Sequence, residues 1–132
     1  MGRPPNQRPT ASELAILDVL WERGSATVRD VFEALYLQEG GGYTTALKLL
    51  QVMHAKGLVE RDDSQRAHVF RAVPTREFTR TRMLDTMIEQ MFGGRPMDLV
   101  LSLLGTDAAP KSEEIAQVRA LLDRLEREHS HD

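Results

Sequence analysis

"YTTALKLLQVMHAKGLVERD", Tyr43 to Asp62, carries two periods back to back. In its helical part Leu49, Leu50 and Met53 fall on one face, while Thr44, Thr45, Lys48 and Gln51 point elsewhere. Lys56-Gly57 closes that helix with a basic last turn and a residue suited to left-handed backbone. After Gly57 the period changes. "LVERDD" and "RAHVFRAV" are short extended runs joined by a polar turn at Asp63, Ser64 and Gln65, which predicts a hairpin. Taken alone, such a helix is an ordinary solvated one; its neighbours suggest more.

Upstream lie two more helical patterns. Ser12 is the expected N-cap of a helix with Leu14, Leu17, Leu20 and Trp21 on one face and Gly24 at its end. In "SATVRDVFEALYLQEGGG" Thr27 caps, Val28, Val31, Phe32 and Leu35 form the stripe, and Gly40–Gly42 end it. Helix, helix, helix, hairpin over residues 11–73 predicts a winged helix-turn-helix domain, preceded by a flexible arm over residues 1–10. Its expected core is Leu17, Val31, Leu35, Ala46, Leu50 and Met53.

That fold puts the third helix in the major groove of DNA and the hairpin against the backbone or the adjacent minor groove. The polar face of the opening helix then has a use. Thr44 and Thr45 sit where unpaired N–H groups and the helix dipole favour phosphate. Lys48 and Gln51, further along, suit guanine and adenine edges. Arg66 and Arg71 are candidate phosphate contacts in the wing, with Asp62 and Glu60 as competing ion-pair partners. His68 is a further candidate, although its alternation in the strand equally suits a plain surface position. Thr27 and Arg29, at the start of the second helix, complete the candidate DNA-binding set.

Residues 74–132 read as three helices. Thr75 caps the first, which reaches Phe92 and carries Phe78, Leu84, Met87, Ile88 and Met91. "GGRP" breaks it, and Pro96 opens "MDLVLSLL", with Leu99 and Leu103 apolar. A third helix starts at Lys111-Ser112-Glu113-Glu114 and carries Ile115, Val118, Leu121, Leu122 and Leu125 at helical spacing. Met83, Met87 and Met91 suit packing. Three short helices cannot bury this much leucine and methionine alone, so a dimerisation region and a homodimer are expected. The fold class is mainly α with a small β-hairpin.

Composition narrows the function. The 132 residues carry 17 Lys and Arg against 20 Asp and Glu, net −3. Residues 1–73 hold nine of each sign and residues 74–132 eight against eleven, so any DNA affinity must come from local placement of charge. The absence of cysteine excludes disulfides, thiolate metal sites and a cysteine nucleophile. No apolar run suits a membrane span, and "MGRPPNQRPT" lacks the apolar core of a signal peptide, so a cytoplasmic protein without membrane insertion is expected. Nucleophile elbow, paired acid–base carboxylates and phosphate loop are all missing, so no enzyme and no cofactor are expected. His129, His131 and Asp132 form a polar tail rather than a metal site, for want of a rigid third ligand.

"ATVRDVFEAL", "YTTALKLLQVMHAKGLVERD" and "RAHVFRAV", in this order and spacing, resemble the penicillinase-repressor (BlaI/MecI-type) family of bacterial winged-helix repressors. The likeness is close over residues 11–92 and one of layout beyond. It implies a homodimeric repressor of transcription on an inverted-repeat DNA operator, released in the antibiotic-resistance systems when a membrane sensor leads to cleavage in the C-terminal part. The chain departs from the family at Val52, where "LLQRM" places arginine, and in lacking the cysteine cluster of the copper-responsive branch. It also lacks the Asn-Phe pair cut in resistance repressors, Asn6 being its only asparagine. Two other readings of the same fold are a ligand-sensing repressor and a protein-interaction module that never touches DNA. Ligand-induced stabilisation and steep salt dependence of DNA binding, respectively, separate them from the first.

Overall fold

A computed structural model describes residues 8–106 and 110–130. The chain order is α1 (Ala11–Arg23), β1 (Ala26–Thr27), α2 (Val28–Leu35), α3 (Tyr43–Lys56), β2 (Val59–Asp62), β3 (Val69–Ala72), α4 (Arg76–Met91), α5 (Pro96–Leu104) and α6 (Ser112–His129). It divides into two compact units, one ending at Asp85 and one beginning at Thr86. The first is a winged helix-turn-helix.

The cap of α1 is Thr10, not Ser12. The Thr10 hydroxyl accepts the Glu13 N–H at 3.2 Å, and the Glu13 carboxylate accepts the Thr10 N–H at 2.9 Å. The reciprocal box needs an acidic or amide side chain three residues on; Ser12 would meet Ala15 there, which has none. Ile16 joins Leu17 and Leu20 in the core, and Leu14 is only partly buried.

Thr27 caps α2 as expected, in a second reciprocal box with Asp30 at 3.1 and 3.0 Å. The helix ends at Leu35, well short of Gly40–Gly42. Gln38 and Glu39 occupy the positions three and four beyond Leu35, so a further turn would bury nothing. The hairpin is also wider than its sequence suggests. Ala26 pairs with Phe70 and Thr27 with Val69, which makes an antiparallel sheet ordered β1-β3-β2. A two-residue strand is too short to show an alternation.

α3 has the expected limits. Gly57 at φ 84°, ψ 13° ends it, and the Leu58 N–H returns to the Met53 carbonyl at 2.9 Å. Ala46, Leu50 and Met53 are fully buried against Ile16, Leu17, Leu20 and Val31, with Val59 and Phe70 closing the core from the sheet. Leu35 lies at its margin, partly buried. The start of α4 is tied to α1. The Trp21 indole N–H donates to the Pro74 carbonyl at 3.0 Å, and Arg76 stacks over the Trp21 ring at 5.3 Å while pairing with Asp18 at 2.8 Å. The Thr75 hydroxyl caps α4 by accepting the Phe78 N–H at 3.0 Å.

In the second unit Pro96 occupies the first turn of α5, and the Glu114 carboxylate takes the Lys111 N–H at 2.9 Å at the start of α6. Among its described residues none is buried. Leu103, Leu121, Leu122 and Leu125 are exposed, Met91 is 74% exposed, and Ile88, Leu99 and Val118 are half-buried. On the preceding part of α4, Phe78 and Leu84 are exposed as well. Among the described residues no helix is long and apolar enough to cross a membrane.

Candidate nucleic-acid interface

A helix advances about 100° per residue, so the buried Ala46, Leu50 and Met53 define one side of α3 and leave the opposite side to Thr44, Lys48, Gln51, Val52 and Ala55. Thr45 adjoins this outer group. All six are exposed. The four α3 residues expected to meet DNA therefore share one continuous face. α1 and α2 each close their N-terminus with a threonine-led box, whereas α3 begins after Gly42, which has no side chain to do so.

Its N-terminus is held by aromatic packing. The Tyr43 ring stands edge-on to Phe32 with centroids 6.1 Å apart. Gly41 lies against the Tyr36 side chain, where an added Cβ would come within 3.1 Å of the ring. Its C-terminus is held by an ion pair. Lys56 Nζ donates to the Glu13 carboxylate at 2.8 Å, with the Glu13 side chain 2% exposed and that of Lys56 28%. One carboxylate thus serves two helices, one oxygen capping α1 and the other clamping the end of α3. Burial by itself would raise the Glu13 pKa, but the hydrogen bonds from Lys56 and Thr10 outweigh it and hold the group below its ordinary value. This clamp was not anticipated from the sequence. "TASE", a capping-box pattern ahead of an apolar run, signals only the Thr10 half of it, and Lys56 lies 43 residues away.

The wing brings Arg66, His68 and Arg71 together on one exposed hairpin. Their charges are not equally available. Glu60 is the cross-strand neighbour of Arg71. Hydrogen bonds from Ser64, helped by the charge of Arg71, lower the pKa of Asp62. Arg71 therefore lies near two carboxylates, although among the described residues it forms no ion pair with either. Arg66 has no ion pair among the described residues. His68 Nε2 lies 3.6 Å from Asp63, which also accepts from Arg61 at 2.8 Å, so Arg61 and Asp63 brace the turn.

The two remaining candidates lie at the start of α2. Thr27 is half-buried with its hydroxyl oxygen engaged in the cap, and Arg29 is exposed and paired with Glu33 at 3.1 Å. Groups of three or more potential metal ligands are absent among the described residues. His129 ends α6; His131, Asp132 and the arm through Gln7 lie outside the described residues.

Comparison with known proteins agrees with this architecture. The family description "Penicillinase repressor" matches residues 9–124. "Transcriptional regulator BlaI" of Mycobacterium tuberculosis, from strain CDC 1551 / Oshkosh and from strain ATCC 25618 / H37Rv, is 30% identical over 113 residues, 84% of this chain and 82% of the relative. Among solved structures, a MarR family protein from Bacillus stearothermophilus shares the fold at a TM-score of 0.50 and 22% identity, over 95% of this chain and 78% of that one.

Proposed function

The chain belongs to the penicillinase-repressor family, and from that premise we propose that it is a homodimeric, sequence-specific DNA-binding repressor of transcription acting in the cytoplasm. The observation that carries this reading is α3. Its apolar face is sealed in the core, while Thr44, Thr45, Lys48 and Gln51 lie outward along one exposed strip. Lys48 and Gln51 supply the donors and acceptors that read guanine and adenine edges in the major groove, and the start of the helix meets phosphate. Arg66 in the wing adds a backbone contact, Arg71 and His68 weaker ones, and Thr27 and Arg29 reach the flanking phosphates from α2.

Dimerisation through residues 74–132 is supported by the absence of any buried residue among those described from Thr86 onward. A second copy supplies the missing apolar partner, with Phe78, Leu84, Met87, Ile88, Met91, Leu99, Leu103, Val118, Leu121, Leu122 and Leu125 forming the seam. Two recognition helices then meet half-sites one or two turns of DNA apart, about 34 Å per turn, so the operator is an inverted repeat. Joining two weak DNA-binding units raises the effective local concentration into the ~mM range.

A cut in α5 releases the operator by removing that linkage without touching a DNA contact. Exposed, left-handed Gly93 and Gly94 end α4 just before that helix and supply the entry through which a protease would approach it. The rival trigger is a ligand or partner acting on the helical half, and a membrane sensor is the upstream component only in the proteolytic case. Recovery of genomic fragments bound by the chain tests the central reading. A shared inverted repeat is expected, and fragments without any common element refute it. Immunoblots during induction separate the triggers: full derepression with the chain intact eliminates proteolysis.

A further inference from the structure

We propose that Val52 is a specificity-determining residue that recognises the C5 methyl group of a thymine in each half-site. The inference rests on the DNA-binding reading of α3 and deepens it.

The outward strip of α3 is polar apart from two positions, Val52 and the small Ala55. Val52 is 46% exposed. It lies one turn beyond Lys48 and beside Gln51, about 50° from the centre of the strip at ~100° per residue, in the row that also holds Thr45. A β-branched side chain that stays nearly half exposed on a helix buries only part of its apolar surface and has modest helix propensity, so the isolated fold gains little from it there. The other exposed large apolar residue of α3, Tyr43, is accounted for by its edge-on contact with Phe32.

The major groove offers one apolar group on a base edge, the thymine methyl. The two methyls of Val52 lie on the outward side of α3 beside Lys48 and Gln51, the candidate base-reading residues. Docking the strip into the groove brings them against the base pair adjacent to the one read by Gln51. The restricted χ1 of valine holds them in place before binding, so little rotamer freedom is lost in the contact. A thymine there is favoured over cytosine, whose edge presents an amino donor that valine leaves unpaired.

The test uses the full-length chain and the operator recovered from genomic fragments, with each thymine of one half-site replaced in turn by uracil. That exchange removes one methyl and leaves every hydrogen-bonding group in place. Wild type is expected to lose about fourfold in affinity at one thymine, the ~0.8 kcal/mol of one buried methyl-sized group at ~1.4 kcal/mol per tenfold. Val52→Ala, which retains the fold because the side chain is solvent-exposed, is expected to bind the thymine and uracil forms equally. If no single uracil weakens wild type, or if the sensitive thymine stays equally sensitive in Val52→Ala, the assignment falls. Discrimination of operator from random DNA by wild type in the same titrations would then leave the repressor reading intact, while its loss would take both down.

Discussion

Replacing Lys56 by methionine isolates the clamp that holds the recognition helix. Methionine keeps most of the apolar stem and removes the ammonium, leaving the Glu13 carboxylate 2% exposed with only the Thr10 N–H and hydroxyl nearby. Stripping one partner from a buried ion pair costs about 3–5 kcal/mol. Because Lys56 is 28% exposed, water reaches the vacated side, and we expect a cost at or just below the bottom of that range, about 2–3 kcal/mol near pH 7. The pH dependence carries the proof. In wild type the Glu13 pKa is lowered from 4.5, so its stabilisation is complete above 4.5 and is lost as the pH falls through the folded-state value. In Lys56→Met burial acts with little to oppose it, the pKa rises, and protonation relieves the variant. The gap between the two proteins is therefore widest near neutrality, starts to close as the pH falls through the variant's raised value toward 4.5, and closes further as it falls through the lowered wild-type value. Urea unfolding followed by the fluorescence of Trp21, the only tryptophan, reads this in the DNA-binding unit itself. A gap that is the same near pH 7 and about pH 4, or under about 1 kcal/mol at neutrality, would refute the clamp.

Gln51→Ala is expected to cost about 1–3 kcal/mol on the operator and to relax preference at one base pair, read by titrating single-base operator variants; unchanged preference removes Gln51 from the reading. Arg66→Ala should weaken operator and random DNA alike and reduce the slope of log affinity against log salt by about 1, whereas Arg71→Ala, bracketed by Glu60 and Asp62, should change it less. Gly57→Ala should destabilise the DNA-binding unit by about 1 kcal/mol in thermal unfolding through its left-handed backbone alone, since an added Cβ there meets nothing within 4 Å. Leu122→Glu combined with Leu125→Glu should shift the chain to monomer in sedimentation and weaken operator binding, with Trp21 still reporting an intact first unit; a dimer that survives both changes excludes that seam.

The amino-acid sequence alone determined α3 from Tyr43 to Lys56, its outward Thr44, Thr45, Lys48 and Gln51, and the left-handed stop at Gly57. These are properties of one helix, written in a period of 3.6 residues and a glycine. It also determined the order of helices and hairpin, because each switch of period is local. Tertiary structure decided what depends on distant partners. Ala26 and Thr27 become a strand only because Val69 and Phe70 lie beside them. Glu13 looks like any first-turn acid until the fold brings Lys56 to 2.8 Å from it. The end of α2 is set by burial, since the turns after Leu35 have nothing to pack against. In the wing, Arg66 and Arg71 are equivalent as letters, and the cross-strand register that places Glu60 opposite Arg71 is what separates them. Registers and ion pairs of this kind are fixed by long-range packing, whose energy is shared across the whole core, so no local window of sequence contains them.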